Sequence, residues 1–403
     1  MQSPITASHE RDSLLGELCD SETGASSFLE LEAADDYVTW SAVSNLTGPA
    51  PAPLRGATSV LDPVRARTLV FGGCDPVRTH GGCSSALYAH SIASNEWIAL
   101  DLNPSSSKPS PRAGGSFTLV GGEALFFGGD ADGALTNDLY SLELATQVWT
   151  KPVLTGPRPP GRHEHAVAEH DGRLWLFGGG GDGGYFGDLW VYSPADARWS
   201  TQKPRGAAPS ARKGHALASI GSALYLWGGC AAGCSDAEVH VLDTSLMVWT
   251  ARNATAGRPP APRSGHAMGV MHGRLVIIGG CDARGSRCFD GVHVYDPVRD
   301  RWTAPSQLGE APPARGGAGL SVIGGEALLY GGCRHGPAPC GVEVSALTSH
   351  FASLDAPTPC PRNCSGNGLC HHGSCACAPG YGGYYGYGRY GYRETEELLR
   401  IKG

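Results

Sequence analysis

Six times along this chain an apolar run ends in two consecutive glycines: Gly72-Gly73, Gly128-Gly129, Gly178-Gly179, Gly228-Gly229, Gly279-Gly280 and Gly331-Gly332. Each pair follows an arginine: Arg55 by 17 residues, and Arg112, Arg162, Arg212, Arg263 and Arg315 by 16. Recurrence at a period of about fifty residues marks an array of small units, each unable to bury its own apolar face alone. That constrains the fold more than any single motif does, and says less about chemistry.

The third unit shows the pieces. Arg162-His163-Glu164-His165 leads into a short run, Asp171-Gly172 turns the chain, and Leu174-Trp175-Leu176-Phe177 ends at Gly178-Gly179. Asp188-Leu189-Trp190-Val191-Tyr192 and Arg198-Trp199-Ser200 follow. Runs this short, aromatic and aliphatic, bounded by Gly, Pro, Asp or Asn, are strands and not helices. Gly121-Gly122, Asp171-Gly172 and Gly324-Gly325 suit tight hairpins that need positive φ. Proline-rich stretches such as 158–161 and 258–262 separate the units.

Four strands per unit, six times over, predicts a β-propeller, in which radial repetition hides sheet edges. The units resemble kelch repeats in three features: the Arg-x-x-His opening (Arg162/His165, Arg212/His215, Arg263/His266), the double glycine, and the fourth-strand tryptophan. Trp149, Trp199 and Trp249 each lie 21 residues after their glycine pair. The resemblance spans roughly residues 37–356 and implies an all-β, six-bladed propeller of four-stranded antiparallel blades. The double glycine is expected to permit close backbone approach between blades, and the repeated Arg, His and Trp to serve as blade-to-blade structure. Tyr37-Val38-Thr39-Trp40 reads as a fourth strand with no blade before it. It would complete the sixth blade; a seventh blade begun upstream is the alternative.

Eight of the fourteen cysteines form short pairs, Cys74/Cys83, Cys230/Cys234, Cys281/Cys288 and Cys333/Cys340, and the first of each directly follows a glycine pair. Such placement predicts disulfides closing the loop between second and third strands, and hence an extracellular or lumenal compartment. The spacing from glycine pair to tryptophan stretches to 25 residues in the first unit and 23 in the fifth, with the excess between the paired cysteines. These loops and the proline-rich connections should therefore share one variable, braced face, suited to recognition. Asn45-Leu46-Thr47 and Asn253-Ala254-Thr255 are glycosylation sequons in exposed connections, which makes Asn45 and Asn253 the candidate acceptors. Met1 to Glu30 shows no apolar signal region, so the chain is read as part of a longer one.

Cys360, Cys364, Cys370, Cys375 and Cys377, with Gly380-Tyr381, resemble an EGF-like module over 360–383. That resemblance implies Cys360–Cys370 and Cys364–Cys375 pairing, with Cys377 lacking its sixth-cysteine partner; Cys19 is the other orphan. Residues 1–36 and the Tyr/Gly-rich tail 384–403 are expected to be poorly ordered.

Charged residues are 17% of the chain, the net charge is −7, and basic residues are scattered singly, which argues against nucleic acid. No apolar run approaches the ~20 residues of a membrane span. His163 and His165 are a possible metal pair on one strand face, but no third ligand is apparent; no nucleophile elbow or phosphate loop appears. No cofactor or catalytic residue is assigned, and the expectation is no enzyme. The function expected is an extracellular or cell-surface recognition or scaffold protein, binding a protein or glycan through propeller loops. Attractin and multiple-EGF-domain proteins are similar in combining these modules. The alternative is a kelch-propeller enzyme such as a copper radical oxidase, which needs a cysteine free for cross-linking to tyrosine.

Overall fold

A computed structural model describes residues 36–75, 82–100, 107–231, 233–234, 237–253, 256–334, 340–341 and 343–351, and the backbone of 368–371 and 374–377. The expectations for residues 1–35, for the tail and for the disulfides of the cysteine-rich segment fall outside these residues. In that segment the backbone of Gly368–His371 pairs antiparallel with Ser374–Cys377, setting Cys370 opposite Cys375.

Among the described residues six sheets are each built on four antiparallel strands, two two-stranded pairs accompany them, and there is no helix. The first blade comprises Thr58–Asp62, Arg67–Phe71, Leu87–Ser91 and Glu96–Ala99. The second has Ser116–Val120, Glu123–Phe127, Leu139–Glu143 and Val148–Thr150, the third Ala166–His170, Arg173–Gly181, Gly184–Ser193 and Arg198–Gln202. The fourth has Lys213–Ile220, Ala223–Cys230, Val239–Asp243 and Val248–Arg252, the fifth Ala267–Met271, Arg274–Ile278, Val292–Asp296 and Arg301–Thr303. Gly319–Ile323, Glu326–Tyr330 and Val344–His350 supply three strands of the sixth. Its outer strand is Tyr37–Ala42, antiparallel to Val344–His350 with Trp40 opposite Leu347. First strands of neighbouring blades pack side by side all the way round, including the sixth against the first. The ring therefore has six blades, closed by a strand from the beginning of the chain.

Tryptophan explains how the blades adhere. Trp40, Trp97, Trp149, Trp199, Trp249 and Trp302, one per outer strand, are all 0–2% exposed. Each reaches back to the residue just before the preceding blade's double glycine. Trp149 lies 5.5 Å from Phe71, Trp199 5.0 Å from Phe127, Trp249 5.9 Å from Phe177 and Trp302 5.5 Å from Trp227. Trp97 meets Tyr330 at 5.9 Å, and Trp40 shares a cluster with Ile278. The core is thus six separate apolar seams and not one central mass, as stacked-repeat architectures require.

The proline-rich connections do more than separate blades. Arg205–Gly206 runs parallel to the fourth blade's outer strand, and Ser306–Gly309 parallel to Tyr37–Trp40. Parallel bridges Thr47 to Glu96, Thr155 to Arg198 and Ala256 to Arg301 repeat the arrangement. Each connection lies along the outer edge of the blade it is about to enter, covering backbone groups that an edge strand would leave unpaired.

Candidate binding face

Five arginines are the framework of one face. Arg162 is fully buried; its Nε donates to Pro160 O at 3.1 Å and its Nη1 to Gly178 O at 2.8 Å. Its guanidinium grips the Asp188 carboxylate at 2.7 and 2.8 Å and lies 4.1 Å from the Phe186 ring centre. Arg112, Arg212, Arg263 and Arg315 repeat the bond to the first glycine of their own blade, with Gly128, Gly228, Gly279 and Gly331 accepting. A buried cation so fully hydrogen-bonded does not carry the cost of an unpaired charge. The same arginine backbone ties blades together: the second glycine of one blade donates its N–H to the carbonyl of the next blade's arginine, as from Gly179 to Arg212 at 2.9 Å. Gly178 has φ +65°, and a Cβ there would lie 2.8 Å from Arg212 O. The repeated Arg, His and Trp are therefore blade-to-blade structure, and the double glycine marks the close approach expected of it.

One member of the series needs correction. Arg55 is exposed and is not the counterpart of the other five. It bridges to Cys74 as Ala113 does to Asp130 and Ser264 to Cys281, one position beyond the buried arginine. Leu54 holds the arginine's place. The first blade's opening turn, Pro63–Ala66, has four residues where the second has Gly121-Gly122, and that lengthening moved a neighbouring arginine into a deceptively similar spacing.

Every loop between second and third strands that opens on this face is braced, by one of two devices. In the first, fourth, fifth and sixth blades disulfides join Cys74–Cys83, Cys230–Cys234, Cys281–Cys288 and Cys333–Cys340. In the second, Asp130–Ala131 pairs with Ala134–Leu135, and in the third the two strands continue until Gly181 pairs with Gly184. The loop-closure model gives each small disulfide about 2–3 kcal/mol. Replacing Cys281 and Cys288 together by serine should lower the denaturation midpoint accordingly, while mild reductant reproduces the shift in the unmutated protein.

On this face a series of backbone hydrogen bonds passes from blade to blade, from the first to the sixth. Gly114 donates to Gly56, Glu164 to Gly114, Gly214 to Glu164, Gly265 to Gly214 and Gly317 to Gly265, at 2.7–3.0 Å. Five of these six residues are glycines of positive φ; Glu164, at φ +51°, is the exception. Its side chain is 38% exposed, with His163 Nδ1 at 3.6 Å and Lys213 Nζ at 3.3 Å. Burial opposes its ionisation, but His163 and Lys213 outweigh burial and hold the carboxyl down to about 2. With Arg55 one residue before Gly56, the mouth carries a mixed set of charges.

His163 and His165 part company. His163 faces Glu164, whereas His165 is buried and its Nε2 lies 2.9 Å from Ser116 Oγ of the second blade. Among the described residues no group of three or more His, Cys, Asp or Glu is placed to hold a metal.

His165, His215 and His266 enter successive seams, and burial, seconded by the neighbouring Arg162, Arg212 and Arg263, depresses all three. His215 and His266 are brought down to about 3. An unfolded histidine titrates near 6.5, so unfolding takes up protons below that pH. This stabilisation is complete above pH ~6.5 and is lost as pH falls toward the folded values. Denaturant midpoints at pH 7.5, 6 and 5 should fall in that order, and His266→Asn should flatten the slope.

Asn45 and Asn253 are exposed on connections, as the sequons require. Glu164 and Leu54 escaped the sequence reading. Alignment on the glycine two residues past the arginine, as in Arg112-Ala-Gly114 and Arg212-Lys-Gly214, would have exposed both: Arg162-His-Glu164 and Leu54-Arg-Gly56 are the departures.

Comparison with known proteins agrees with this geometry. The family model KLHDC2/KLHL20/DRC7 Kelch-repeats domain matches residues 31–229 and 167–332. Kelch domain-containing protein 3 of Homo sapiens is 28% identical over 271 residues, covering 67% of this chain and 59% of that protein. Acyl-CoA-binding domain-containing protein 4 of Arabidopsis thaliana is 37% identical over 95 residues, 24% of this chain and 14% of that protein. Rab9 effector protein with kelch motifs of Gallus gallus is 33% identical over 96 residues, 23% of this chain and 26% of that protein. The matched parts thus span 59%, 14% and 26% of these relatives, less than two thirds of each.

Proposed function

Since the chain belongs to the kelch-repeat family, we propose that it is a non-catalytic recognition module that binds a protein or glycan partner on the braced loop face. The observation that carries this reading is that each of the six loops between second and third strands is closed at its base, by a disulfide or by paired strands, around a charged mouth. Rigid loops lose less conformational entropy on binding. One relative's name, an effector with kelch motifs, points the same way. The disulfides and exposed sequons support an extracellular or lumenal site, and the cysteine-rich segment supports the likeness to attractin-type proteins. No helix among the described residues is long and apolar enough to cross a membrane.

The test compares binding partners recovered from secreted protein and from variants. Arg284→Ala with Arg287→Ala alters an exposed braced loop. Glu164→Gly alters the mouth at no steric cost, since five blades already place glycine there. Leu246→Ser with Val298→Ser alters exposed turns at the other ends of the strands. Partners should be lost with the first two variants and retained with the third. The reverse pattern, or stoichiometric copper with a radical signal in the purified protein, overturns the reading.

A further inference from the structure

The seam between the sixth and first blades lacks what closes the other five. At each of those, a buried arginine occupies a slot floored by the first glycine's carbonyl. In three of them an acidic side chain stands beside the guanidinium: Asp138 at 3.8 Å from Arg112, Asp188 at 2.7 Å from Arg162 and Glu343 at 2.7 Å from Arg315. In the first blade, strand register puts Leu54 at the arginine's position and Ala86 at the acid's. Both members of the pair are gone, and the two apolar replacements are too small to fill the volume. A small cleft open to solvent is found there, lined by Leu54, Val70, Ala86, Tyr88, Trp97 and Tyr330 among others. Its rim at Gly72 and Ala86 corresponds to the place that the chain's own arginine takes in the other blades.

The chemistry of the vacancy selects its occupant. A guanidinium entering from outside would find no carboxylate at Ala86 and would approach Arg55, the exposed residue next to Leu54. An apolar side chain would instead be buried against three aromatic rings. Arg55 makes no ion pair among the described residues, so it is available to an anionic neighbour of that side chain. The Gly72 carbonyl, whose five counterparts each accept from an arginine, has no arginine donor and can accept a backbone N–H.

We propose that this slot is the anchor site for an extended partner segment that inserts one large apolar side chain and places an acidic residue beside it over Arg55. The proposal rests on the reading of the loop face as the binding surface and names the chemistry of what binds there.

The probe is a panel of acetylated, amidated peptides Gly-Gly-X-Asp-Gly, with X Phe, Leu, Ala or Arg, titrated calorimetrically into the full chain. Phe or Leu should bind at least tenfold more tightly than Ala. Arg55→Ala should weaken the Asp peptide several-fold but leave its Asn counterpart unchanged. Leu54→Arg with Ala86→Asp rebuilds the pair used elsewhere; this variant should keep its denaturation midpoint and lose peptide binding more than tenfold. A preference for X = Arg, equal binding of all peptides, or undiminished binding by the rebuilt variant overturns the proposal. Should the slot fail while loop variants still shed natural partners, the broader reading stands alone; if peptides bind but loop variants shed none, the slot stands and the broader reading falls.

Discussion

Replacing Trp40 by alanine is expected to remove about 4 kcal/mol of stability. Its side chain is 2% exposed, its Nε1 donates to Gln307 at 2.8 Å, and it shares a cluster with Val276, Ile278, Val292 and Val294 of the fifth blade. The substitution therefore opens a cavity in a seam and weakens a strand whose other neighbour is Val344–His350. It also removes a group tethering the ring's beginning to its end. Starting the chain after residue 43 should be worse, because the sixth blade then loses its outer strand and Ser306–Gly309 loses the strand it pairs with. The measurement is the urea midpoint with near-ultraviolet circular dichroism. A truncated chain with an unaltered cooperative transition would show that the closing strand is dispensable.

The second large effect is expected from Gly257→Ala. Gly257 has φ +79°, and an added Cβ would lie 1.9 Å from the Trp302 carbonyl oxygen, a backbone atom that cannot turn aside. Gly48, Gly206 and Gly309 stand in the same relation to Trp97, Trp249 and Trp40. Each is the point where a connection presses against the outer strand of the blade ahead. Strain at positive φ together with a forced backbone shift should remove on the order of 3 kcal/mol. Gly121→Ala is the control: its φ is +60° but nothing lies within 4 Å of the added Cβ, so the conformational cost alone, about 1 kcal/mol, is expected. Equal losses in the two variants would show that close approach contributes nothing.

Blade number, strand order, the closing role of Trp40 and the four propeller disulfides were legible because each depends on a local spacing repeated with little variation. The parallel pairing of the connections was not, since proline-rich segments carry no alternation that announces a strand. Arg55 misled because a count from the double glycine crosses the hairpin turn, and two extra turn residues nearly cancel a one-residue offset on the other side. Glu164 was hidden for another reason. Composition and periodicity say nothing about a left-handed residue unless the equivalent glycines of other units are set beside it.

The strand Tyr37–Ala42 belongs in space to the last blade but in sequence runs straight into the first, through the short stretch that holds Leu54. Detached, it carries all the information needed to complete a sixth blade, and nothing in that information distinguishes its own molecule from another. At high concentration two copies can exchange these strands reciprocally, each finishing its neighbour's circle with every native contact preserved. A propeller closed this way has a built-in route to a swapped dimer.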